Sequence, residues 1–208
     1  MDKKTNATVV AEDTARYERL LDLIGLPKNL RDASIEGIKT PAAREFVEWY
    51  FEEGRASFDK GEGIFIGGLS FTGKSAIASL ILRHCNDAGI RCRFTTAPEL
   101  LRSLARGDIR PDEVTVEDKC LKAGFLVVDD IGLEHCASPG HGTMVSELIS
   151  RRIDAAKPCL ITTSKPRKDL ENTYGIKFLN AIDGNFHKIT LVGSYIEDVR
   201  NSRKLFGK

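Results

Sequence analysis

The stretch Gly68-x-x-x-x-Gly73-Lys74-Ser75 constrains this chain more than any other, because it is a P-loop pattern with a strand before it and a helix after it. Ile64-Phe65-Ile66 reads as a short apolar strand, and helical spacing begins near Lys74. Glycine at 68 and 73 lets the backbone curl until successive N–H groups converge on one concavity. The helix that follows aims its positive end at the same point. Gly68, Leu69, Ser70, Phe71, Thr72, Gly73, Lys74, Ser75 and Ala76 are therefore the candidate phosphate cradle. Lys74 is expected to reach the β- and γ-phosphates of a nucleotide, and Ser75 to ligate Mg²⁺. A plain glycine-rich turn would leave the strand-then-helix context unexplained. Phe71 stands where many such loops carry another glycine. A ring there could narrow the phosphate pocket, and a positive φ would strain the loop.

Downstream, Phe125-Leu126-Val127-Val128 is a continuous apolar run, as expected of a strand buried on both faces. It ends in Asp129-Asp130. Alone, that pair is equally well read as an exposed turn. With a P-loop upstream it reads as a Walker B arrangement, in which Asp129 holds the Mg²⁺ shell and Asp130 orients or deprotonates a water. Cys159 to Thr163 is a further buried strand, and its polar tip, Thr163-Ser164-Lys165, can touch a terminal phosphate or the water if that strand lies beside the P-loop strand.

The remaining chain alternates. Residues 1–12 are polar and expected to be loose, with a helix over 13–23 and a linker-like stretch over 26–34. Thr40-Pro41 starts a helix reaching about Phe58, with Phe46, Val47, Tyr50 and Phe51 on one face. Further strands are expected over 91–96 and 188–192, and helices over 98–106, 114–122, 143–156, 166–170 and 174–182. Alternating strands and helices imply an α/β domain: a mostly parallel five-stranded sheet with helices on both faces. The expected division is 1–40 as a short extension and linker, 41–200 as the core, and 201–208 as a basic tail.

Charge is nearly balanced, at 31 Lys and Arg against 30 Asp and Glu. Residues 151–208 carry twelve of the former and six of the latter, a surplus of +6, which leaves −5 elsewhere. A basic C-terminal third suits nucleic acid, and equally an ordinary solvated surface. Arg102 and Arg106 share a helix face and could meet phosphate, though a solvated face is the better reading of the pair. The five cysteines form no Cys-x-x-Cys pair, and His135 and His141 have no partner at ligand spacing, so zinc and a disulfide framework are not indicated. Neither a membrane span nor the apolar core of a signal peptide is visible, and the expected location is the cytoplasm.

Several segments together resemble the DnaC/IstB-like branch of AAA+ ATPases, which comprises helicase loaders and transposition helpers. They are Leu26-Pro27-Lys28-Asn29-Leu30-Arg31-Asp32-Ala33, the P-loop, Phe125 to Gly132, and Leu148-Ile149-Ser150-Arg151-Arg152 with Pro158 to Ser164. Tyr174-Gly175 and Gly193-Ser194-Tyr195 look like C-terminal landmarks of that branch. The resemblance implies a P-loop NTPase fold of AAA+ type and a protein switched by ATP and Mg²⁺. It further implies assembly with copies of itself and with a replicative helicase or a transposase, often on DNA. By position, Ser164 stands where the family has an Asn that senses the γ-phosphate. The family's finger arginine falls at Ala181-Ile182, so it is missing, with Lys177 nearby. A finger is worth ~10³–10⁵ in rate where tested, so slow hydrolysis or a borrowed arginine is implied.

Four readings follow. A helicase-loader-like factor binds single-stranded DNA with salt dependence. A transposition helper prefers duplex DNA and forms ATP-dependent filaments. A small-molecule kinase phosphorylates a nucleoside, although no lid-like run of arginines follows the acidic strand. A regulator of a helicase keeps nucleotide affinity with little turnover.

Overall fold

The computed structural model describes residues 3–105, 114–133 and 141–192. Five strands form one sheet: β1 (Gly63–Gly68), β2 (Cys92–Thr96), β3 (Phe125–Asp129), β4 (Cys159–Thr163) and β5 (Phe186–Leu191). Their order is β2-β3-β4-β1-β5, and every pairing is parallel. Successive side chains of a strand point to opposite faces, and the apolar runs split accordingly. Ile64, Ile66, Phe125, Val127 and Leu160 join one core with α1 (Lys3–Ile24), α2 (Pro41–Glu53) and α4 (Lys74–Asp87). Leu126, Val128, Cys159 and Ile161 join a second core with α5 (Ala97–Leu104), α7 (His141–Asp154), α8 (Arg167–Tyr174) and α9 (Ile176–Asn185). Helices thus cover both faces of the sheet, as continuous apolar strands require.

The front of the chain departs from expectation. Residues expected to be loose belong to α1, which runs unbroken from Lys3. Its C-terminal end is fixed to the body, since Leu21, Ile24 and Leu26 are buried. Arg31, itself buried, donates to the Leu26 carbonyl at 3.2 and 2.9 Å and pairs with Glu18 and Asp22 at 2.5 Å each. The supposed linker is therefore packed structure. Ser79 of α4 donates to the Leu30 carbonyl at 2.6 Å, and Arg83 donates to the Ala33 carbonyl. The expected helix from Pro41 to Phe58 is broken at Gly54 into α2 and the short α3 (Arg55–Asp59), where any Cβ would lie 2.4 Å from the Tyr50 carbonyl oxygen.

On the other face, α6 (Val116–Lys122) opens with a capping box, Thr115 and Asp118 exchanging hydrogen bonds. Arg152 of α7 is fully buried and, among the described residues, forms no ion pair with a carboxylate. Its guanidinium donates to the carbonyls of Cys120, Ala123 and Pro158 at 2.6–2.9 Å. That fork ties α6, β3 and β4 together at the end of the sheet away from the P-loop.

Candidate nucleotide site

Parallel strands bring their C-terminal ends to one edge, and strand order decides which loops meet there. β4 lies between β1 and β3, with Gly67 opposite Thr163 and Val128 opposite Ile161. The P-loop after β1 and the acids after β3 therefore flank the polar tip of β4, the neighbour relationship expected of that strand.

The loop is shaped by two glycines. Gly68 has φ 146°, and a Cβ there would lie 2.5 Å from the Leu191 carbonyl oxygen. Gly73 has φ 93° and caps α4 in the left-handed region, which opens its first N–H groups toward the cradle. Lys74 is 5 % exposed, and its ammonium donates to the Leu69 carbonyl at 2.7 Å. Burial lowers its pKa below the usual lysine value, against the pull of Asp130 and Asp129. Phe71 does adopt φ 64°, the strained region for a bulky residue. Its ring does not narrow the pocket, however: it is 67 % exposed and lines neither cavity beside the loop.

Asp129 is the centre of the arrangement. Its Oδ1 accepts from Ser75 Oγ at 3.1 Å and from Thr162 Oγ1 at 2.5 Å. Burial raises the carboxyl's pKa, the two hydroxyls oppose that, the nearby Asp130 adds to it, and Lys74 opposes it. Asp130 is half-buried with φ 60°, and its backbone N–H donates to Thr162 Oγ1 at 2.9 Å. Thr162 was not singled out in the sequence. The only available signal was a hydroxyl residue inside an otherwise apolar strand, next to the acidic one. A serine hydroxyl and a buried carboxylate within hydrogen-bond reach are hard oxygen donors, so these two residues fit Mg²⁺, which is held by one or two carboxylates together with substrate phosphates.

Two cavities flank the loop. One, of about 510 Å³, is bounded by Gly73, Ala76 and Ile77 on one side and by Leu30, Ala33 and Ile38 on the other. The segment expected to be a linker is thus one wall of the candidate site. The second, of about 720 Å³, lies between Gly67, Gly68 and Leu69 and the helices α8 and α9, with Ser164 and Lys165 at its edge. Ser164 is half-buried. Ala181 sits on α9 and offers no cation, and Lys177 of the same helix is exposed. Arg102 is exposed on α5, whereas Arg106, His135, Gly193-Ser194-Tyr195 and the basic tail lie outside the described residues. None of the described helices is long and apolar enough to cross a membrane.

A P-loop after β1, acids after β3 and a polar strand between them, in the order β2-β3-β4-β1-β5, define a P-loop protein of the AAA+ class. Within it, the chain belongs to the family of IstB-like ATP binding proteins, whose model matches residues 53–203. Comparison with curated protein sequences finds no match. Among solved structures, the DnaC helicase loader superposes with a TM-score of 0.67 at 20 % identity, covering 80 % of this chain and 100 % of that one. DnaI superposes with a TM-score of 0.67 at 18 % identity, over 81 % and 96 %. The replication initiator DnaA bound to AMPPCP and single-stranded DNA does so with 0.64 at 14 % identity, over 88 % and 56 %. At these identities the likeness speaks to the fold alone.

Proposed function

We propose that this protein is an ATP-switched AAA+ factor of DNA replication that acts on a replicative helicase, with nucleotide state setting its hold on that partner and on single-stranded DNA. The contact between Ser75 Oγ and Asp129 Oδ1 carries the nucleotide part of the reading, because it joins the end of the P-loop to the acidic strand. On this reading Lys74 exchanges the Leu69 carbonyl for the β- and γ-phosphates, and Ser75 and Asp129 hold Mg²⁺. Bound there, the metal would neutralise charge on the terminal phosphates. Asp130 orients the attacking water, and Ser164 donates a hydrogen bond toward the γ-phosphate. The wall formed by Leu30, Ala33 and Ile38 receives the base and sugar. The ATPase core comprises 41–200 together with the packed segment before it, whose Leu26 and Ile38 are buried in the same core, and 201–208 is a basic tail.

A second reading, favoured by the IstB-like description of the family, is a transposition helper acting on duplex DNA and a transposase. The two differ in the preferred DNA and in self-assembly. Titration of labelled single- and double-stranded DNA in ATP and in ADP, over a range of salt, separates them.

The primary test is calorimetry with Mg²⁺-ATP. Heat of binding is expected from the unmodified chain, with a loss of about tenfold or more in affinity for Lys74→Ala, which removes a charge-assisted contact. Absence of heat from the unmodified chain, or an unchanged affinity in the variant, overturns the assignment.

A further inference from the structure

Lys165 is the first residue but one past β4, at the edge where the P-loop and the acids meet. Its stem is seated. Gly132, three residues after Asp129, has φ 87°, and a Cβ there would lie 2.7 Å from Lys165 Cγ and 3.4 Å from Lys165 Cβ. The missing side chain leaves the slot in which the lysine lies across the turn that follows the acids. The backbone at both ends of this contact is fixed. Gly132 N–H donates to the Tyr174 hydroxyl at 2.7 Å, Thr163 Oγ1 donates to the Ile131 carbonyl at 2.8 Å, and Lys165 N–H donates to Thr163 Oγ1 at 3.1 Å. Lys165 is half-buried, yet among the described ion pairs it has no carboxylate partner. Asp129, the buried acid of this edge, is already engaged by Ser75 and Thr162. A cation held by its stem at the rim of a phosphate cradle, with no ion-pair partner among the described residues, is suited to an anionic ligand.

We infer that Lys165 is a cation supplied in cis to the terminal phosphate of a bound nucleoside triphosphate, in a chain whose α9 carries Ala181 and no finger arginine. The inference rests on the nucleotide-binding reading above. In hydrolysis the water oxygen bonds to the γ-phosphorus and its proton passes to the Asp130 carboxylate. The bond from that phosphorus to the β–γ bridging oxygen breaks, and its electron pair leaves on the diphosphate. Lys165 donates an N–H to a γ-phosphate oxygen throughout and transfers no proton.

The discriminating quantity is the preference for triphosphate over diphosphate. Lys165→Met keeps a stem against Gly132 and removes the charge, and Lys165→Arg restores the charge. Calorimetry of the full chain with Mg²⁺-ATP and Mg²⁺-ADP is expected to show Lys165→Met losing about tenfold or more in ATP affinity. ADP affinity should stay within about twofold, and the arginine variant should recover most of the preference. Equal loss for both nucleotides, or loss for neither, overturns the role of Lys165 while leaving the nucleotide-binding reading intact. If the unmodified chain binds neither nucleotide, both readings fall.

Discussion

The Thr162 hydroxyl donates to Asp129 Oδ1 at 2.5 Å and accepts the backbone N–H of Asp130 at 2.9 Å, so a single side chain of β4 positions both acids of the neighbouring strand. Thr162→Val nearly preserves the shape and deletes these bonds. It leaves a buried carboxylate short of one donor and a backbone N–H without its acceptor. A loss of about 1–3 kcal/mol in unfolding free energy is expected, roughly the cost of one unsatisfied buried polar group, because Asp129 keeps its bond from Ser75 and Asp130 is only half-buried. Thr162→Ser should recover most of it. Chemical denaturation of the three proteins decides, and a valine variant within a few tenths of the original would contradict the expectation.

Asp129 gives a pH dependence whose sign follows from its environment. Burial raises its carboxyl pKa despite the hydroxyls of Thr162 and Ser75. A group with a raised folded pKa contributes stability that is fully present below its unfolded pKa and is lost as pH rises through the folded value. Asp129→Asn, which never ionises, removes that loss. The stability of this variant relative to the original should therefore increase as pH rises from about 4 to about 7. Nucleotide binding should run the other way in the original protein. Mg²⁺ requires the ionised carboxylate, so Mg²⁺-ATP affinity should fall as pH drops through the raised pKa. Denaturation midpoints and calorimetry across that range test both slopes, and parallel slopes for the two proteins would refute the first.

The parts of this fold that were legible in the sequence are those written locally. β1, β3 and β4 are apolar on both faces and announce themselves as unbroken runs, and the P-loop carries its own glycines. Phe71 was legible as a conformational problem, because φ 64° is costly for any ring-bearing residue, but its outward direction was not. What stayed hidden depends on contacts between distant residues. Leu26 to Ser34 looks like a linker because its partners are far away in the chain: Ser79 reaches Leu30 across 49 residues, and Arg83 reaches Ala33 across 50. Thr162 and Arg152 fall in segments that carry the family resemblance, but their individual roles were likewise hidden. A hydroxyl in a strand and an arginine in a helix gain their roles only when β3 is laid beside β4 and α7 beside α6.

Asp130 has φ 60°, which makes asparagine a well-chosen probe of its role. Asparagine visits the left-handed region more readily than most residues, so Asp130→Asn removes the charge with little backbone penalty. The backbone N–H that Thr162 accepts is unchanged by the substitution, so the support of Asp129 persists. Mg²⁺-ATP affinity should therefore stay within about threefold of the original, since neither the cradle nor the proposed metal ligands are touched. If Asp130 orients and deprotonates the water, turnover should fall by about 10²–10⁴, the usual worth of a positioned general base. Alanine is the poorer probe, because it resists φ 60° and would mix backbone strain with lost chemistry. A phosphate-release assay alongside calorimetry separates binding from turnover, and an asparagine variant that hydrolyses ATP at the original rate would remove Asp130 from the mechanism.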